Sequence, residues 1–272
     1  LSFAINYGIG GLGVGGYHKW NVAVHIMCAL LLFGIVRRTV ARLRSRATGA
    51  EMRRATETAL VVALLWMLHP LQSEVVDYVT QRTESMSALF LFLTLYSAIR
   101  ARHSVGANRW TAMAIAACAL GMGTKESMVT TPVVVILYDR VFEFGSIREA
   151  IHVRKRLYLG LAATWLGLAA LQLRTERSTV GASATVSAWT YLLNQAEMIV
   201  TYLRLTLWPR WLVLDYGLPR QVSLQDVAPQ AAVVLAALGA TIVALARWPK
   251  IGFLGAVFFL TLAPTSSIVP IT

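Results

Sequence analysis

Residues 57–100 read ETALVVALLWMLHPLQSEVVDYVTQRTESMSALFLFLTLYSAIR. Two apolar runs, 57–70 and 86–100, flank a polar stretch. Pro70 has no N–H to continue a helix, so it ends the first run. A helix over 72–83 would put Glu74, Asp77 and Gln81, spaced three and four, on one face. Val75, Val76 and Val79 would then form the opposite face. The reading is two membrane helices joined by a short amphipathic helix that lies along the interface.

The same pattern extends in both directions. A crossing needs about 20 apolar residues for a hydrocarbon core of about 30 Å. Runs at 17–36, 57–70, 86–100, 109–123, 127–141, 156–173, 227–246 and 250–270 predict about eight crossings. Several are short, which bilayer thinning and packing accommodate. Lys125-Glu126 and Pro132 predict a break between the fourth and fifth. The fold class expected is all-α, a polytopic transmembrane helix bundle in a single membrane domain. Composition agrees: of 272 residues, 57% are hydrophobic and 14% charged, with a mean hydropathy of +0.60. A soluble domain carries roughly 25% charged residues. Disordered, collagen-like and coiled-coil classes are excluded by the same figures. Cys28 and Cys118 both sit in apolar runs and give neither a disulfide framework nor metal-ligand spacing.

The net charge of +12 is distributed unevenly over the loops. Loops 37–54, 100–109, 139–156 and 247–250 hold seventeen basic residues against five acids, counting Glu57 with that side. The other side holds Lys19, Arg82, Lys125, Arg174, Arg177, Arg210 and Arg220, balanced by seven acids. The whole excess falls on one face, which the positive-inside rule makes cytoplasmic. Topology and lipid headgroups account for the arginines, and a nucleic-acid partner is set aside.

Residues 188–208 are apolar enough to cross, but a crossing would move Arg247 and Lys250 to the outer side. Asn194, Glu197, Thr201 and Arg204 also form a polar stripe on one helical face. With Trp189, Tyr191, Tyr202, Trp208 and Trp211 nearby, the segment reads as an amphipathic helix on the outer surface or tucked into the bundle. The stretch GIGGLGVGG at 8–16 lacks a Gly-Lys-Ser/Thr ending and follows no strand, so it reads as an outer loop, not a phosphate loop.

Polar groups at membrane depth or its edge are costly and mark candidate sites. Four clusters stand out, all at outer helix ends. The first is His69, Glu74, Asp77, Arg82 and Glu84, an ion-pair network or a binding rim. The second is Lys125-Glu126, either an ion pair capping a turn or a lysine aimed at phosphate. The third, His18, Asn21 and His25, is one stripe suited to helix–helix hydrogen bonding; two histidines alone are not a metal site. The fourth is Arg210, Asp215 and Tyr216 in the aromatic, proline-bounded WPRWLVLDYGLP. The helix interiors carry almost no ionisable groups, where an ion-coupled transporter would place them.

The block HPLQSEVVDYVTQRTESMSALF, then GTKE, then an apolar run closing in LYD at Asp139, then LWPRWLVLDYG, resembles the membrane part of the tetratricopeptide-repeat O-mannosyltransferases and their bacterial relatives, of the GT-C class. NYGIGGLGVGGYHKWNVAVHI and FLTLAPTSSIVPI resemble the stretches that open and close that region. The resemblance implies a multi-pass enzyme, in a bacterium of the inner membrane, active on the extracytoplasmic face. It implies a polyprenyl-phosphate sugar donor, carrying mannose or a related hexose, and a protein or glycan hydroxyl acceptor. On this reading Arg82 and Lys125 bind the donor phosphate, with His69, Glu74 and Glu126 beside them and Asp77, Asp215 and Tyr216 as secondary candidates. The family's acidic residue in the first outer loop is expected upstream of Leu1, together with the first helix; the repeats are expected beyond Thr272. No cofactor is assigned, no metal ligand is named, and a divalent metal stays open. A lipid-linked sugar flippase or a non-catalytic membrane scaffold is the alternative.

The charge split predicts that loops 37–54 and 139–156 are cytoplasmic and that 70–85 and 174–226 lie outside. Single cysteines at positions 78 and 180 should react with a membrane-impermeant thiol reagent on intact cells. Cysteines at 45 and 148 should react only after permeabilisation; the reverse pattern would invert the map.

Overall fold

The computed structural model describes residues 2–43, 48–174, 187–213 and 220–266. All regular structure among them is helical, and the chain divides into two compact units, Leu1–Lys125 and Glu126–Thr272.

The first unit opens with α1 (Ser2–Gly10) and α2 (Val14–Arg42). The turn between them needs a left-handed residue, and Gly11 supplies it at φ +58°. The next helix, α3 (Gly49–Met67), starts on a reciprocal Thr48–Glu51 capping box. Its buried residues Ala55, Ala59 and Ala63 recur every fourth position, so a small-residue face meets α2. The run stops where Pro70 stops it. His69 Nδ1 accepts from Leu71 N at 3.2 Å and caps a short 3-10 turn, Pro70–Gln72.

The single helix expected over 72–83 is not formed. Instead α4 (Ser73–Asp77) ends at extended Tyr78, and a second 3-10 turn, Val79–Gln81, follows. The cause lies on α2. The Val76 carbonyl accepts from Asn21 Nδ2 at 3.3 Å and faces His18 Nδ1 at 3.4 Å. A helix through 80 would have claimed that carbonyl, and the β-branched residues Val75, Val76, Val79 and Thr80 hold it weakly.

Next come α5 (Arg82–His103) and α6 (Ala107–Met122). Helix α5 runs parallel to α2. Asn21 meets Arg82, the Cys28 thiol donates to the Ser85 carbonyl at 3.6 Å, and a Cβ on Gly34 would come 2.6 Å from Tyr96. Helices α3 and α6 run back against them. His25 Nε2 lies 2.9 Å from Met67 O and its ring stacks on Trp66; Tyr96 meets Trp110 edge-on at 5.9 Å.

The second unit begins with a 3-10 turn, Glu126–Thr130, after the break expected at Lys125-Glu126. Then α7 (Thr131–Tyr138) passes directly into a π-turn, Asp139–Glu143. Helices α8 (Ile147–Val153), α9 (Lys155–Arg174), α10 (Ala188–Leu207), α11 (Leu224–Arg247) and α12 (Pro249–Leu262) complete the described structure. The run expected over 250–270 stops short at Leu262, because Pro264 follows.

Among the described residues two helices, Val14–Arg42 and Leu224–Arg247, are long and apolar enough to cross a membrane. Counting Gly49–Met67 with Pro70–Asp77, bent by 54°, as one span makes three. Helix α10, with 20 residues, is not among them.

Helices α11 and α12 approach at backbone distance. A Cβ on Gly252 would sit 2.7 Å from the Ala244 carbonyl carbon, and backbone cannot yield as a flexible side chain can. Gly167 in α9 has open space instead. Gly252→Ala should therefore destabilise the protein by about 1–3 kcal/mol through overpacking. Gly167→Ala should be neutral or stabilising by about 0.5–1 kcal/mol. Thermal unfolding of both variants in one detergent checks the contrast.

Candidate functional site

Of the expected rim residues, Arg82 and Glu84 sit in the first turn of α5, within the first unit. Arg82 opens the helix and is completely buried. Its Nε donates to Asn21 Oδ1 at 2.9 Å, Nη1 to Asn6 Oδ1 at 2.6 Å, and Nη2 to the Tyr17 carbonyl at 3.1 Å. The guanidinium carbon lies 4.5 Å from the centre of the Phe3 ring and 5.5 Å from that of Tyr17. Among the described residues none of its partners is a carboxylate. A buried charge normally has a counter-ion; here amide and carbonyl dipoles and two ring faces stand in. The position adds to the cost, because a helix N-terminus already carries partial positive charge. Burial pushes the guanidinium below the usual arginine range, partly offset by Tyr17, and arginine keeps its proton regardless.

Asn6 holds this cradle from the other side, with its Nδ2 3.4 Å from the Gly16 carbonyl, while the Tyr17 hydroxyl donates to the Gly11 carbonyl at 3.0 Å. The cradle was not anticipated from the sequence. Its signal was nevertheless there: Asn6 is the only amide or charged residue in the apolar, glycine-rich stretch 1–17.

Glu84, in the same first turn, lies two positions after Arg82 and so projects from another side of the helix. It pairs with Lys125 beyond the end of α6. Both side chains stay partly open, 43% and 28% exposed. The sequence suggested Glu84 for Arg82 and Glu126 for Lys125; the structure instead gives Arg82 to asparagines and Lys125 to Glu84. Glu74 accepts from Gln81 Nε2 at 2.9 Å, so these two share an edge even though the helix between them is broken. His69 is half-buried as the cap described above, and Asp77 is exposed. Glu126 opens the first turn of the second unit. Asp215 and Tyr216 lie outside the described residues. Among the described residues no group of three or more His, Cys, Asp and Glu side chains is placed to hold a metal ion.

The second unit holds a cluster that was also not singled out. Arg154 Nη1 bonds both oxygens of Asp139, at 2.7 and 2.6 Å, and the Tyr158 hydroxyl donates to the same carboxylate. Asp139 is 1% exposed. In α10, Asn194 exchanges hydrogen bonds with the backbone of Arg220 at 2.9 and 3.1 Å, and Glu197 pairs with the Arg220 side chain. The polar stripe of α10 thus receives a returning segment of chain.

Asn21 is the joint on which the first cluster turns, since one amide serves both Val76 and Arg82. Asn21→Leu should strand the Arg82 Nε and the Val76 carbonyl and destabilise the fold by about 1–3 kcal/mol for each buried group left unpaired. Asn194→Leu, a stripe position outside this unit, serves as the comparison. Hydrogen exchange at residues 74–84 should rise in the first variant and not in the second.

No protein-family model matches the chain, and no solved structure matches it. Over 241 residues it is 28% identical to the Protein O-mannosyl-transferase Tmtc2 of Drosophila melanogaster, covering 83% of this chain and 24% of that protein. Over 137 residues it is 30% identical to the Protein O-mannosyl-transferase TMTC4 of Homo sapiens, covering 48% and 18%. Over 281 residues it is 24% identical to Mus musculus TMTC4, covering 90% and 38%. The chain spans well under half the length of these relatives. The resemblance drawn from the His69–Glu84 block and the Lys125–Glu126 pair therefore holds: this chain is similar, at 24–30% identity, to the protein O-mannosyl-transferases Tmtc2 and TMTC4.

Proposed function

We propose that the protein is a membrane glycosyltransferase that moves a sugar, mannose or a related hexose, from a polyprenyl-phosphate donor to a hydroxyl acceptor, a protein serine or threonine. The observation that carries this reading is the buried, carboxylate-free Arg82 in the same helical turn as Glu84, the partner of Lys125. The names of the relatives support the reaction class.

The chemistry follows from the leaving group. Breaking the glycosidic bond to a lipid phosphate leaves charge on phosphate oxygens. Positioned cations in a low-dielectric site stabilise that charge as it develops. Lys125 is the mobile cation: its pair with Glu84 is partly exposed, and such pairs are worth about 1 kcal/mol or less, so a phosphate can replace the carboxylate. Arg82 supplies fixed positive charge. It reaches the phosphate by giving up Asn6, which is carried on α1 beyond the left-handed Gly11. Glu74 and His69 hold sugar hydroxyls, and Glu126 is a further candidate by its place next to Lys125 in the sequence. A base takes the acceptor proton; on the family resemblance it belongs to the first outer loop.

The same reading sets this end of α5 on the extracytoplasmic face of a multi-pass bundle, in a bacterium that of the inner membrane. The eight crossings of this reading require short and broken helices to cross as well. Helix α5, at 22 residues, is about 33 Å long at 1.5 Å per residue. The 3-10 turn, α7 and the π-turn run without interruption from Glu126 to Glu143. The polar stripe of α10 keeps that helix at the surface.

Lys125→Gln in the full-length enzyme should shift thermal unfolding little. It should cost about 2–4 kcal/mol of transition-state stabilisation in kcat/KM, comparable to a lost oxyanion donor. Arg82→Lys keeps charge but loses the guanidinium fork and should impair turnover as well. Transfer from a radiolabelled polyprenyl-phosphate sugar to an acceptor peptide, normalised to folded protein, measures both. Normal specific turnover of Lys125→Gln would remove the phosphate-site reading.

A further inference from the structure

The other end of α5 carries a second arrangement of arginines. Arg82 and Arg100 are eighteen residues apart on one helix, about 27 Å at 1.5 Å per residue, close to the thickness of a bilayer core of about 30 Å. Near Arg100 the helix meets α2 and α6 through an aromatic pair. Arg38 of α2 stacks on Tyr96, its guanidinium carbon 4.8 Å from the ring centre. Arg100 stacks on Trp110 at 4.5 Å. The two rings touch edge to face at 5.9 Å. Gly34 lets this happen, because any Cβ there would meet Tyr96 at 2.6 Å.

We propose that Arg38 and Arg100, seated on Tyr96 and Trp110, form a binding site for a phosphate group. Three observations support it. First, the two guanidiniums rest on adjoining rings, and Arg37 and Arg100 both act repulsively on Arg38. Second, no carboxylate balances them: among the described residues Arg38 donates to the Gly34 carbonyl at 3.2 Å, and neither arginine has an acidic partner. Third, Arg100 Nε is buried with no hydrogen-bond acceptor, although both residues remain partly open to solvent. A buried charged donor without an acceptor is expensive, and like charges held together raise the cost. A phosphate resolves both problems, since its oxygens accept the planar fork of a guanidinium and its charge offsets two cations. The ring faces hold the guanidiniums flat beforehand, which lowers the ordering cost of binding. This site uses none of the residues assigned to sugar transfer.

The same chemistry is offered by a phospholipid headgroup and by a water-soluble phosphate monoester. Native mass spectrometry of the full-length protein in detergent separates them, with dioleoyl phosphatidic acid as lipid probe and glycerol 3-phosphate as soluble probe. We expect one phosphatidic acid to bind tightly and to be about ten-fold weaker in Arg100→Lys, which keeps the charge and loses the Nε. Arg38→Gln should weaken it similarly. Arg53→Gln, which removes an equal charge from a side chain 79% exposed and paired with Glu57, should change binding by less than about two-fold. Competition by glycerol 3-phosphate identifies a soluble ligand, and its failure to compete identifies the lipid headgroup. Thermal unfolding of each variant in the same detergent certifies its fold, and Arg38→Lys replaces any that fails. Unchanged binding in Arg100→Lys, an equal loss in Arg53→Gln, or no arginine-dependent binding of either probe would overturn the proposal.

Discussion

A guanidinium buried without a counter-ion must be met by dipoles from several directions, and the first unit is built to supply them. Arg82 takes its three acceptors from Asn6 on α1, from the Tyr17 carbonyl and from Asn21, the last two on α2. Each acceptor comes from a segment more than sixty residues earlier in the chain. In an interior of low dielectric a missing acceptor is felt at close to full strength, so the arginine fixes the relative positions of α1, α2 and α5. The broken segment 70–81 is tied into the same network through Val76 and Asn21.

That broken segment is the second consequence of the surroundings. A backbone carbonyl freed by the break must find another donor when it is shielded from water, so the bent segment takes partners from a neighbouring helix. The stripe His18, Asn21 and His25 of α2 supplies them, two groups at Val76 and one at Met67. The kink is thus paired with the stripe. Pro70 ends α3, His69 caps the turn that follows, and α2 satisfies the carbonyls that the break releases.

Much of this was legible in the sequence and some was not, for specific reasons. The helix-to-turn step at His69-Pro70, the break at Lys125-Glu126 and the amphipathic 188–208 segment follow from proline chemistry and periodicity, which are local. The role of the α2 stripe in helix–helix bonding was also readable, because three polar residues on one apolar helix must bond something. The helix over 72–83 was misread because its periodicity was real while its hydrogen bonds were claimed by α2, a contact fifty-five residues away. The partners of Arg82 and Lys125 were misread for a related reason. Nearness in sequence favoured Glu84 and Glu126, but residues two apart on a helix face different ways, and the neighbours of Arg82 lie on α1 and α2. Asn6 could not be connected to Arg82 by any pattern short of the fold.

Two of the ion pairs among the described residues contrast in their exposure. Asp139 and Arg154 are sealed, bidentate and reinforced by Tyr158. Removing one partner of such a pair costs about 3–5 kcal/mol, because the other is left as an uncompensated buried charge. That cost suits a fixed strut, here one that holds the π-turn after α7 against the start of α9. Lys125 and Glu84 are open on one side and worth about 1 kcal/mol or less, so the pair can open at little cost to the fold. Arg82 completes the contrast: it is as buried as Asp139 but lacks the opposite charge. A protein selected for stability alone would have given it one or replaced it with an apolar residue, since a well-packed apolar substitute is often neutral or better. The exception to that rule sits in the same helical turn as Glu84, the partner of Lys125.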